Sequence, residues 1–188
     1  MKKSTFALAM MMALSANVYA ADSAEHKLTI LGKVTTDGCM VDGGNGSVTG
    51  LDLVMTLPTV QIDTVVDNPT VGLAALNGDN QTLPLVCSDG IAKVSVSFAP
   101  QNANGKYLNN TAAVDAASNI GFVLAAAVNK DVTAGDWMDF TSGDVTLPDT
   151  DVVDNKVTIN FSANYAKTDV DVTAGNVEAV VPFTIAYL

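Results

Sequence analysis

The clearest alternation of apolar and polar positions lies at the end of the chain, in "AGNVEAVVPFTIAYL" (174–188). Val177, Ala179, Val181, Phe183, Ile185 and Tyr187 fall on every second position, the period of a β-strand with one face turned to a core. "KVTINFSANYA" (156–166) repeats the pattern. Val157, Ile159, Phe161, Ala163 and Tyr165 share one side, and Lys156, Thr158, Asn160, Ser162 and Asn164 share the other, which predicts a half-buried strand. Strands are also predicted over "KLTILGKVTT" (27–36), "LDLVMTL" (51–57), "QTLPLVC" (81–87), "KVSVSFA" (93–99) and "NIGFVLAAA" (119–127). Helical signals are confined to "GLAAL" (72–76) and "TAAVDAASN" (111–119), both short and read as turns or a single helical turn.

Between the strands lie "DGGNGS" (42–47), "NGDN" (77–80), "QNANG" (101–105), "TSGD" (141–144) and "PDTDVVDN" (148–155), all turn compositions. About seven short strands separated by such turns predict an all-β, immunoglobulin-like sandwich. No linker or composition break divides it, so one domain is expected. The terminal strand reaches Leu188 with no turn and no returning strand, which predicts an exposed sheet edge.

Residues 1–20 fall outside that domain. "MKK" is a positive start, "FALAMMMAL" a short apolar run, and "SANVYA" presents Val18 and Ala20 at the places a signal peptidase reads. The apolar run is too short for a membrane span, which needs roughly 20 residues. A signal peptide over 1–20 is therefore predicted, and export to an oxidising compartment with it.

Export changes how the two cysteines are read. Cys39 and Cys87, an even pair far apart in sequence, predict one disulfide. A catalytic thiol or a metal pair is the alternative, and neither Cys has a neighbouring His. The net charge of −11, with no Arg in the chain, argues against nucleic acid and anionic membrane as partners.

Candidate chemistry is sparse. His26 is the only histidine, so a His-dependent triad or multi-His zinc site is not expected. "GGNG" (43–46) is a turn composition without the context of a phosphate loop. Asp149, Asp151 and Asp154 lie close together in sequence but lack EF-hand spacing, and read as a solvated loop. Trp137, beside Phe140, reads as a core residue. No catalysis, cofactor or metal is predicted.

What remains is the geometry of the two ends. A polar "ADSAEHK" leads into Leu28, Ile30, Gly32 and Val34, a second alternating stretch. An extended arm that adds to an exposed sheet edge is a recognised binding mode, and head-to-tail contacts that do not close make a filament.

Taken in order, these segments resemble bacterial chaperone–usher pilins of the type 1 fimbrial family. "ILGKVTTDGC" is similar to the family's segment that runs from a Gly to a Cys seven residues later, here Gly32 to Cys39. "MTLPTVQIDTV" (55–65), the strand ending at Cys87, "ASNIGFVL" (117–124) and "INFSANYA" follow as in the family. "AGNVEAVVPFTIAYL" carries its terminal signature, Gly175 and the penultimate Tyr187. Two departures stand out. Leu83 and Leu85 lie one residue closer to the Cys than is usual. Pro182 lies inside the terminal strand, where a proline removes one ladder bond. Either its missing donor faces away from an incoming strand or it costs one hydrogen bond, of order 1 kcal/mol.

The resemblance implies a sandwich lacking its last strand, completed by donor-strand complementation. Residues 21–36 would be the donor arm, with Leu28, Ile30, Gly32 and Val34 entering a neighbour's groove. Residues 37–188 would be the pilin domain, with Gly175, Val177, Ala179, Val181, Phe183, Ile185 and Tyr187 forming the acceptor and chaperone-binding strand. The implied partners are a periplasmic chaperone, an outer-membrane usher, sister pilins and other copies of the chain, on a route through the periplasm to the fimbria. Tip adhesins of the family carry a second, N-terminal lectin domain. Only residues 21–38 precede Cys39, so a two-domain tip adhesin is not expected. With both an arm and a groove, the chain reads as a major shaft subunit, with a minor adaptor as the alternative, and direct binding of a host receptor is not expected. The alternative is a secreted, monomeric β-sandwich that binds a carbohydrate or other ligand.

Overall fold

The structure is a computed structural model, and it describes residues 38–42, 53–67 and 78–188. The predicted signal peptide, His26, the arm residues Leu28, Ile30, Gly32 and Val34, the "GGNG" turn and the "GLAAL" segment lie outside the described residues. The described residues hold ten strands: β1 (Cys39–Val41), β2 (Gly78–Cys87), β3 (Lys93–Phe98), β4 (Ala103–Asn104), β5 (Tyr107–Asn109), β6 (Ile120–Val128), β7 (Val145–Thr146), β8 (Thr150–Asp151), β9 (Lys156–Lys167) and β10 (Phe183–Tyr187). Among the described residues, helix is limited to single 3-10 turns at Ile62–Thr64 and Ala134–Asp136.

Two antiparallel sheets form a sandwich. One runs in the order β1-β2-β9-β6-β5-β4; the other runs β10-β3-β7, with β8 also on β3. The alternation read in the sequence decides which side chains lie between them. Val94, Val96 and Phe98 of β3 face Val157, Ile159 and Phe161 of β9 within one buried cluster that also holds Leu83, Leu85, Leu108, Leu124 and Met138. Near its centre Phe98 meets the Phe161 ring edge-on at 6.2 Å, a geometry aromatic pairs favour.

The strand that ends at Cys87 has a definite register. Leu83 faces Ile159 and Leu85 faces Val157 on β9, while Cys87 faces Cys39 on β1. Cys39 and Cys87 are joined in a disulfide across these two neighbouring strands. Pro84 is accommodated because its carbonyl accepts the Asp42 N–H at 2.9 Å, one step past the end of β1. Its absent N–H therefore falls where the β1 ladder has stopped.

Several expectations are refined or corrected. Of the two forms open to the segment 111–119, turns or a single helical turn, it takes turns and bends, with Asp115 and Asn119 at positive φ. "QNANG" and its neighbours contribute the short hairpin β4–β5, and "PDTDVVDN" contributes β8. Asp154 and Asn155 both take positive φ between Val153 and Lys156, whose backbones exchange hydrogen bonds, a primed two-residue turn. Trp137 is only half-buried beside β6, and the core positions go to Met138 and Phe140. Ser162 and Asn164, read as the solvent side of β9, are buried. They lie beside Ala125 and Val123 of β6, so the middle of this sheet is covered on both faces.

The disulfide closes a loop of 48 residues' separation. Replacing both cysteines with Ser is expected to lower unfolding stability by about 4 kcal/mol, the chain-entropy value for a loop of this size. Urea unfolding of the oxidised chain beside the double variant measures the difference.

Candidate strand-accepting groove

The terminal segment crosses the body with its backbone groups divided by parity. Asn176 donates its N–H to the Asp115 carbonyl at 2.7 Å and accepts from Ala117 N at 3.0 Å. The Glu178 carbonyl accepts from Thr111 N at 2.8 Å, and its N–H reaches Asn110 Oδ1 at 2.9 Å. The Pro182 carbonyl accepts from Ala99 N at 2.9 Å, and Leu188 exchanges bonds with Lys93 at 2.9 and 3.0 Å. These bonds all come from even-numbered residues. The β10–β3 register, Phe183 opposite Phe98 and Tyr187 opposite Val94, extends the same parity. In an antiparallel pair, hydrogen-bonded and non-bonded positions alternate. The N–H and C=O groups of Phe183, Ile185 and Tyr187 therefore point away from β3. Among the described residues, nothing pairs with β10 on that side.

Side chains follow the opposite rule. Val177, Ala179, Val181, Phe183, Ile185 and Tyr187 are half-buried, while the residues between them are exposed. Together they line one wall of a groove of about 910 Å³. Leu53, Met55 and Leu57 line it from a second extended segment, which pairs with no described strand. Core side chains close the bottom, among them Phe98, Leu108, Leu124 and Phe161. Phe183 stacks on Phe98 at 6.0 Å and meets Phe161 at 5.8 Å, so wall and floor join through three aromatic rings. Following residues 177–187, the groove tracks roughly 33 Å of extended chain. That shape suits an extended peptide.

The two ends of the wall are fixed differently. Tyr187 is half-buried, and burial pushes its phenol above the ordinary tyrosine range, while a backbone hydrogen bond from Cys39 pulls the other way. This contact ties the end of β10 to the start of β1. Gly175 does not line the groove. It holds φ at +154°, and a Cβ there would lie 2.3 Å from the Asp115 carbonyl oxygen. Its role is close packing of the wall's other end against residues 115–117.

Of the residues named from sequence, Cys39 and Cys87 are bonded to each other, Val177 to Tyr187 stand together along the wall, and the donor residues lie outside the described part. Two contributors were not singled out. Leu53, Met55 and Leu57 carried an alternating signal that marks an extended segment without saying what it borders. Asn110 carried no signal. Its Nδ2 donates to the Ala117 and Asn176 carbonyls, both at 2.8 Å, and its Oδ1 accepts from Ala112 and Glu178 N–H groups, both at 2.9 Å. One amide thereby fastens the wall to the loop before β6.

Asp149, Asp151 and Asp154 form no metal cluster among the described residues, and Asp151 instead pairs with Lys93 at 3.6 Å. A two-sheet sandwich with a strand-lined groove and an unpaired edge is the incomplete immunoglobulin-like fold of pilus subunits. The chain belongs to the fimbrial protein family, whose profile, described as "Fimbrial protein", matches residues 33–188. It is a pilus subunit, from a family of structural proteins. No curated protein matches the chain. Among solved structures, it is similar to a subunit in a chaperone–usher pilus structure that addresses rod uncoiling, at 15% identity and TM-score 0.61, covering 88% of this chain and 97% of that one. Weaker likenesses are to the P pilus rod subunit PapA (17% identity, TM-score 0.32, 86% and 100% covered) and the CupB6 tip adhesin of Pseudomonas aeruginosa (15%, 0.41, 67% and 33%).

Two sets of variants test this geometry by urea unfolding. Val181→Ser is expected to cost about 1–2 kcal/mol by removing groove-facing apolar surface, whereas Val180→Ser, on the exposed side, stays within about 0.5 kcal/mol. Asn110→Ala is expected to cost about 2–3 kcal/mol, because it leaves several backbone groups without partners.

Proposed function

We propose that the chain polymerises head to tail by donor-strand exchange and builds the shaft of an adhesive fimbria. The observation that carries this is the groove: two extended segments, 53–57 and 177–187, face each other across it, and the second offers unpaired backbone groups along its inner edge. An inserted strand would form main-chain bonds there and place alternate side chains on the aromatic floor.

The occupant is residues 21–36 of another copy. Leu28, Ile30 and Val34 have the period of a strand, and Gly32 supplies the position without a side chain. Each buried aliphatic residue would add roughly 1.5–3 kcal/mol and each neutral backbone bond about 1 kcal/mol, so a short arm accumulates a strong joint. Neutral backbone bonds and an apolar lining make that joint less dependent on salt than a charge-based one. Before assembly, a periplasmic chaperone fills the same edge, and an outer-membrane usher is where the arm of the next subunit replaces it. This reading also takes residues 1–20 as the export signal, 21–36 as the arm and 37–188 as the pilin domain, with Gly175 supporting the wall that Val177, Ala179, Val181, Phe183, Ile185 and Tyr187 provide. The subunit binds sister pilins and does not itself contact a host receptor.

The test is export of the full chain beside a variant lacking residues 21–31. The full chain is expected to form multimers that resist detergent, and the shortened chain to form none and to be recovered as a stable monomer only when a synthetic peptide of residues 21–36 is supplied. Stable monomers from both chains, indifferent to the peptide, would overturn the proposal.

A further inference from the structure

Pro182 is the one residue of the terminal strand with no N–H to offer. It holds an even position, and its carbonyl bonds to Ala99 N, one step past Phe98, where β3 ends. Its nitrogen therefore faces the body, toward the Ala99 carbonyl, and the gap it leaves lies beyond the end of the β3 ladder. Pro84 stands in the same relation to β1: its carbonyl accepts from Asp42, one step past Val41. Both strand prolines sit where the neighbouring strand has just stopped.

We infer that Pro182 is a positioning residue: it fixes the register of β10 on β3 while leaving the groove-facing edge with its full set of donors. A slide of one residue would turn that edge's bonding groups over to even positions, bring the proline's blank into the opening, and remove Phe183 from its contacts with Phe98 and Phe161. A slide of two that sets Pro182 opposite Ser97 would place the blank inside the ladder and leave the Ser97 carbonyl without its donor. A slide of two the other way carries Phe183 off Phe98. The observed register avoids all three losses. What the intact edge is for rests on the head-to-tail reading, with Leu28–Val34 of a second copy as its occupant; the direction of the Pro182 nitrogen does not.

The experiment uses the full exported chain carrying Ile30→Asp, which removes its own arm from competition, with and without Pro182→Ala. The new amide at residue 182 is expected to be protected from hydrogen exchange whether or not a synthetic peptide of residues 21–36 is present. Peptide retention is expected to change less than about two-fold, while Val181→Pro weakens it about ten-fold beyond Val181→Ala, the size of one lost buried hydrogen bond. An amide at 182 that exchanges freely alone and is protected only by the peptide would overturn the inference. If the peptide binds none of these chains, the head-to-tail reading fails, and protection of the amide at 182 still decides the proline's role.

Discussion

A β-strand has two hydrogen-bonding edges, and the body of this protein bonds residues 176–188 along one of them only. Asn176, Glu178, Pro182 and Leu188 direct their backbone groups to Asp115 and Ala117, to Asn110 and Thr111, to Ala99, and to Lys93. The other edge follows from this without further design, because successive residues of an extended chain point their bonding groups in opposite directions. The apolar side chains of the same odd residues also face inward. Edge and groove wall are therefore one feature seen in two directions, and any change of register would alter both together.

Much of the sandwich was legible because its strands are half-buried and carry a period of two. The order β2, β3, β6, β9, β10 and the core positions Val94, Val96, Phe98, Val157, Ile159 and Phe161 follow from that pattern. The short strands β4, β5, β7 and β8 did not show, since two or three residues are too few to establish a period. The segment 111–119, read as turns or a single helical turn, takes the first form. Its Ala-rich composition favours a helix locally, but Asp115 is bonded to Asn176 of the terminal segment and Asn119 to residues 168–171, and both take positive φ. Buried Ser162 and Asn164 show the limit of a polarity rule: small polar side chains sit under cover when the neighbouring strand offers Val123 and Ala125 on the same face.

The groove was half legible. Its terminal wall announces itself by alternation, and the resemblance to pilins pointed to the same residues. Its second wall, 53–57, read only as a strand. Asn110 was invisible, because its half-buried amide earns its importance by joining nearby Ala112 and Ala117 to Asn176 and Glu178, which lie far along the sequence. Proline is the instructive case. In sequence, Pro182 is a defect in a strand; its meaning depends on which edge it faces, and only the register supplies that.

The disulfide also takes on meaning from where it lies. Cys39 and Cys87 lock the outer strand of the six-stranded sheet, while the groove opens beside β10 in the other sheet. One sheet is finished covalently and the other is left one strand short. The covalent lock and the open strand edge thus lie in different sheets of the same small sandwich, although side chains of both sheets line the groove. Oxidation can strengthen one sheet without satisfying a single bonding group along the open edge of the other, so a covalently locked fold can still carry an unfilled strand edge.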